Sequence, residues 1–148
     1  MRSPPRLAIS SCCKPRRRSF GDGRQLLRAI FDVTLDAITL ADDDGTYVDV
    51  NPAACRLFGL PREQLLGRSI VDFTAPGTDG RAQFRELRER GSLAGVYPIR
   101  RLDGTTAMLD VNAVADVVPG RHLSILRDIS DRLAAEEALR RNEALFRA

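Results

Sequence analysis

At 148 residues, 43% of them hydrophobic and 29% charged, the chain has the length and composition of one globular domain with short extensions. No apolar run approaches the roughly 18 residues that cross a bilayer, which excludes a membrane-spanning reading of this segment. The net charge of +3 is unevenly divided: residues 1–21 hold six bases (Arg2, Arg6, Lys14, Arg16, Arg17, Arg18) and no acid, leaving 17 bases against 20 acids for residues 22–148. The basicity belongs to a tail, and nucleic-acid binding by the folded part is not expected.

That tail, residues 1–22, carries Pro4, Pro5 and Pro15 among Ser and Arg with no regular apolar spacing, so it is predicted to be disordered. Its acid-poor, Arg- and Ser-rich composition also matches an organelle transit peptide; a solvated extension or a translation start placed too early are the plainer alternatives. The apolar stretch at residues 7–9 is too short for a secretory signal, and a cytoplasmic location is expected. Cys12 and Cys13 are adjacent and Cys55 stands alone, a pattern with neither zinc-knuckle spacing nor a disulfide framework.

Residues 24–36 repeat Leu26, Leu27, Ile30 and Phe31 at helical spacing, a stripe that needs a cover, either the domain or a second copy of the chain. Residues 37–42 and 47–50 alternate around Asp43-Asp44-Gly45, which predicts a hairpin with Ile38, Leu40, Val48 and Val50 inward. Asn51-Pro52 opens a helix, since Asn accepts a hydrogen bond as N-cap and Pro at the first position loses an N–H that has no partner there. Gly59 ends that helix, and Ala53, Ala54, Leu57 and Phe58 predict that it is buried. Short turns follow at residues 61–65 and 69–73. A helix at residues 81–90 turns Phe84 and Leu87 inward and stops at Gly91.

From there the period falls to two. Strands are predicted over residues 93–101, 106–117 and 122–128, with Leu109, Val111 and Ala113 on one face of the second and Leu123 and Ile125 on one face of the third. Asp103-Gly104 and Pro119-Gly120 supply the turns of this antiparallel meander. Five strands and several short helices predict an α+β fold, an antiparallel sheet with helices across one face. Residues 130–148 are rich in Ala, Glu, Arg and Leu and are predicted helical, with Ala135, Leu139, Asn142 and Phe146 spaced as on a coiled-coil seam. This helix has no stop signal and is expected to continue toward a further segment.

The string Asp43-Asp44-Gly45-Thr46-Tyr47-Val48-Asp49-Val50-Asn51-Pro52-Ala53-Ala54-Cys55-Arg56-Leu57-Phe58-Gly59 resembles the PAS family. Supporting strings are Gln64-Leu65-Leu66-Gly67, Leu102-Asp103-Gly104-Thr105 and Arg127-Asp128-Ile129-Ser130-Asp131-Arg132, in that order. The resemblance covers about residues 24–135 and divides the chain into a basic tail (1–22), a PAS domain (23–130) and a C-terminal signalling helix (131–148). It implies a five-stranded antiparallel sheet cupped by helices, often around a small cavity, with output through the flanking helices. It also implies a place in a larger protein such as a sensor histidine kinase, a cyclic-dinucleotide enzyme or a transcription regulator. No kinase or cyclase motif lies within these residues, and the chain by itself is not expected to be an enzyme.

Few residues carry chemistry. The single histidine, His122, follows a turn and is predicted to lie at the surface. Haem-binding relatives draw an axial His from the helix corresponding to residues 81–90, which has none here, so haem is not expected. Flavin photosensors use a Cys in an Asn-Cys-Arg string, whereas Cys55 sits earlier between Ala54 and Arg56 and reads as a structural thiol. A calcium loop counted from Gly45 puts Leu40 and Asn51 where carboxylates are required, so no metal site is expected. Phosphate-loop and nucleophile-elbow motifs are absent from the sequence.

A candidate pocket would be lined by Ile38, Leu40, Val48, Val50, Cys55, Phe58, Leu66, Phe73, Phe84, Leu87, Val96, Leu109, Val111 and Ile125, able to take an unknown small molecule; the alternative is a solid core. Asp128 and Arg132, four apart, could pair across the start of the last helix and relay a signal; a plain helix-end role, in which an Asp near the N-terminus favours the helix dipole, is the other reading. The resulting expectation is a sensory input module passing ligand or partner state to a downstream effector. A ligand-free module that dimerises through Leu26, Leu27, Ile30 and Phe31 is the alternative.

Overall fold

The computed structural model describes residues 23–147. The predicted disorder of residues 1–22 and the thiols of Cys12 and Cys13 lie outside the described residues, as does the Phe146 side chain at the end of the seam. Helix α1 (residues 23–33) belongs to one compact unit and the residues from Leu35 onward to a second. Within α1, Arg28 lies over the Phe31 ring, 5.1 Å from its centroid.

The second unit holds strands β1 (Ala37–Ala41), β2 (Tyr47–Val50), β3 (Ser92–Arg100), β4 (Thr106–Val118) and β5 (Arg121–Asp128) in one antiparallel sheet of order β2-β1-β5-β4-β3. Helices α2 (Pro52–Phe58), α3 (Arg62–Leu65) and α4 (Gly80–Arg90), with a 3-10 turn at Ile70–Phe73, lie between β2 and β3 in the chain. Helix α5 (Ser130–Arg147) follows β5. This is the α+β architecture that the sequence implies.

Turn and cap residues fix the local structure. Asp42 Oδ1 accepts the backbone N–H groups of Asp44 and Thr46, and Gly45 takes the positive φ of 80° that closes the β1–β2 hairpin. Asn51 is fully buried: its Oδ1 accepts the N–H of Ala54 at the start of α2 and that of Ile38 on β1, while its Nδ2 donates to the Asp36 carbonyl. One side chain thus joins a helix start to a strand start. Beneath α2 and α3, Tyr47, Phe58 and Phe73 form an aromatic cluster with centroids 4.5–6.3 Å apart, and Val50, Ala54, Leu57 and Leu65 pack around it.

The inward faces of three strands differ from expectation. On β1 the buried residues are Ala37, Thr39 and Ala41, so Ile38 and Leu40 face the other side, opposite Ile125 and Leu123 of β5. The reason is that this antiparallel sheet is apolar on both sides here, leaving the parity of alternation unsettled by hydrophobicity. On β2 the register shifts, pairing Leu40 with Asp49 and Ala41 with Tyr47. Val48 is the extra residue of this bulge, so Tyr47 and Val50 are both buried and Val48 is not. On β5 the buried residues are His122 and Leu126, while Ile125 is 37% exposed.

Candidate functional site

Between the sheet and the helices lies a cavity of about 120 Å³. Small side chains on the sheet make the room: Thr39, Ser124 and Ala113 pair directly across β1, β5 and β4, with Ala41 beside them. Phe58, Phe73, Phe84, Leu87 and Gln83 close it from the helical side, and Tyr97, Ile99 and Leu109 from β3 and β4. Of the predicted pocket residues, Phe58, Phe73, Phe84, Leu87, Leu109 and Val111 line this space.

The others do not. Ile38, Leu40, Val96 and Ile125 occupy the opposite face of the sheet, and Val48 is displaced by the bulge. Val50, Cys55 and Leu66 pack with the core under α2 and α3, away from the lining. Burial pushes the Cys55 thiol above its ordinary pKa, which makes it a poor nucleophile. The lining residues that pattern reasoning missed include the polar or small Thr39, Ala41, Gln83, Ala113, His122 and Ser124 and the larger Tyr97, Ile70, Leu93, Ile99 and Leu126. Cross-strand register would have found those on β1, β4 and β5, because fixing Thr39 as inward fixes Ser124 and Ala113 on the same rung.

His122 corrects the expectation of a surface residue: it is 2% exposed, packed edge-on against Phe84 with ring centroids 5.5 Å apart. Its place opposite Ala41 on an inward rung buries it. Nδ1 accepts the backbone N–H of Asp116 at 3.1 Å, so the neutral ring carries its proton on Nε2 and donates to Asp43 Oδ1 at 2.9 Å. Asp43 also faces the Arg88 guanidinium at 3.5 Å. Asp43, Asp116 and His122 could in principle surround a cation, their ligand atoms lying within 4.8 Å of one another. The donor set does not fit one. A metal on Nε2 would move the ring proton to Nδ1, against the Asp116 N–H, and Arg88 already neutralises Asp43.

The exit from the sheet is equally specific. Ile129, buried, donates its N–H to the Met108 carbonyl, and Ser130 Oγ accepts the Met108 N–H, each at 2.9 Å. Asp128 Oδ1 accepts the Ser130 N–H, and its other oxygen lies 3.6 Å from Arg101 Nη2. The predicted Asp128–Arg132 pair is not formed, because Asp128 turns back to cap α5 while Arg132 faces Glu136. Arg101, unmarked in the sequence, also donates to the Leu57 carbonyl at the end of α2. Past Leu133, α5 is exposed over the residues whose side chains are described.

The family model described as PAS fold matches residues 25–129. The chain belongs to the PAS family. The chain is 28% identical over 132 residues to sporulation kinase E of Bacillus subtilis (strain 168), covering 88% of this chain and 18% of that protein. Among solved structures it resembles the PAS domain of an HTR-like protein from Haloarcula marismortui, with 29% identity, a TM-score of 0.64, and 78% of this chain and 99% of that one covered. It also resembles a domain of a sensory box sensor histidine kinase/response regulator from Geobacter sulfurreducens, with 26% identity, a TM-score of 0.63, and coverage of 72% and 94%. A PAS domain is a sensory module of signal-transduction proteins. Among the described residues no helix is long and apolar enough to cross a membrane.

Proposed function

We propose that this PAS domain is the sensory input of a larger signalling protein, a histidine kinase or similar effector, and that occupancy of the cavity is relayed through the β4–α5 junction. The domain itself supplies no catalysis in this reading. The observation that carries it is the pair of hydrogen bonds joining Met108 to the start of α5. Met108 sits between Ala107 and Leu109, both inward, and Leu109 lines the cavity. A ligand that favours one arrangement of β4 therefore acts on the helix through Ile129 and Ser130, provided that it binds the two arrangements unequally. The kinase relative supports the choice of effector, although the chain spans less than a fifth of its length.

A second reading, pairing of two copies without ligand, is favoured by exposed apolar side chains on both flanking helices: Leu26, Leu27 and Ile30 on α1, and Leu139 and Leu145 on α5. The two are separable. Protein purified from cells is expected to show an added small-molecule mass by native mass spectrometry. Hydrogen exchange of loaded and stripped protein should then differ at the Met108, Ile129 and Leu133 amides. Identical exchange at those amides would remove the relay. Ile30→Glu should halve the mass seen by light scattering if α1 pairs the copies, and unchanged mass would remove that interface.

A further inference from the structure

We propose that the cavity takes a small uncharged molecule of about six heavy atoms or fewer, with one hydrogen-bonding group met by the hydroxyls of Thr39 and Ser124. The proposal rests on the sensory reading above and names its ligand class. Size sets the first limit. The volume is about 120 Å³, where a cavity of about 150 Å³ accepts benzene and pockets for drug-sized ligands run about 300–1,000 Å³.

Charge sets the second. No Asp, Glu, Lys or Arg lines the space. The nearby Asp43 and Arg88 face one another at 3.5 Å and are each about half exposed. His122 lines the cavity, yet its two nitrogens are engaged by the Asp116 N–H and the Asp43 carboxylate. A charged ligand would thus be desolvated without a counter-charge. The position of the hydrogen-bonding group follows from register: Thr39 and Ser124 are direct cross-strand partners on the cavity floor, flanked there by Ala41 and Ala113, and Gln83 faces the space from α4.

The test is a ¹⁵N NMR titration of the 148-residue chain with butan-1-ol, butanone and pyrrole, set against butyrate and butylammonium of matching size. The uncharged probes should give saturable shifts centred on the Thr39, Gln83, Ala113 and Ser124 amides, and the charged ones should bind at least about tenfold more weakly. The combined change Thr39→Val with Ser124→Ala should weaken butanone by about tenfold, while cyclopentane, which has no hydrogen-bonding group, binds as before. If the double variant loses its dispersed spectrum, Ser124→Ala alone carries the comparison. Charged probes binding as tightly as uncharged ones overturn the ligand class and leave the sensory reading standing. Saturable shifts from neither set on the folded protein overturn both the class and the ligand-sensing reading beneath it. Butanone binding that survives the double variant overturns the role of the hydroxyl pair.

Discussion

Thr39, Asn51 and His122 are the buried polar residues among those described, and two of them, Asn51 at the start of α2 and His122 near α4, are held in different ways. Asn51 is satisfied entirely by backbone: two N–H groups and a carbonyl on segments that have no freedom to leave. His122 has one backbone partner, and its other partner is the half-exposed carboxylate of Asp43, itself shared with Arg88 at the surface. The packing divides along the same line. Under α2 and α3 the side chains are closely fitted, with Leu65 and Ala54 at 0% exposure; around His122 the floor is Thr39, Ala41, Ala113 and Ser124, and the space is open. One end of the domain is built to hold and the other to admit and respond.

Breaking the tight end should cost most. Leu65→Ala removes a fully buried side chain from a filled region, and the expected loss is about 2–5 kcal/mol of unfolding free energy, read by urea denaturation. A loss below about 1 kcal/mol would mean that α3 is not part of the stable core. Asn51→Ala removes the N-cap of α2 and strands the Ile38 N–H and the Asp36 carbonyl, for an expected loss of about 2–3 kcal/mol. Hydrogen exchange should show the Ile38 and Ala54 amides opening in that variant while the Asp116 amide on His122 keeps its protection. Equal loosening at both would deny the division between the ends.

The same division explains what was legible in the sequence. Turn and cap residues act locally, so Asp42 and Gly45, Asn51-Pro52, Gly59 and Gly91 mark element boundaries without knowledge of the rest. The helical side chains over the cavity were equally plain, because Phe84 and Leu87 stand out on a helix that is otherwise charged. On β4, polar Asp110 and Asn112 alternate with Leu109, Val111 and Ala113, and the inward face follows. On β1 and β5 the cue fails. Ile38, Leu40, Leu123 and Ile125 are the more hydrophobic set yet take the outer face, opposite one another in the sheet, while Thr39, Ser124 and His122 turn inward. Hydrophobicity misranks the faces here: the outer set stays partly exposed, Ile125 at 37%, while Thr39 and His122 of the more polar inner set are buried. The bulge at Val48 and the link from Arg101 to Leu57 and Asp128 depend on tertiary register, which no local pattern encodes.

The smallest expected effect lies at the edge of the tight end, where Asp36 is held twice. Its carbonyl accepts from Asn51, and its carboxylate receives a two-bonded guanidinium from Arg127 at 3.0 and 3.1 Å. The Arg127 hydrogen bonds hold the Asp36 carboxyl below its ordinary pKa of 3.8. A folded value lower than the unfolded one means that the unfolded chain binds the proton more readily. The pair therefore adds stability above pH 3.8, and the addition disappears as pH falls through the folded value. With Arg127 63% exposed and Asp36 32%, solvent screening keeps the contribution below about 1 kcal/mol. Asp36→Asn should lower stability at pH 7 by no more than that, and the difference from the parent chain should shrink as the pH is taken down below 3.8. A variant equally destabilised at neutral and at acid pH would show that the Asp36 side chain acts by something other than its charge, and would make the carboxylate clamp dispensable.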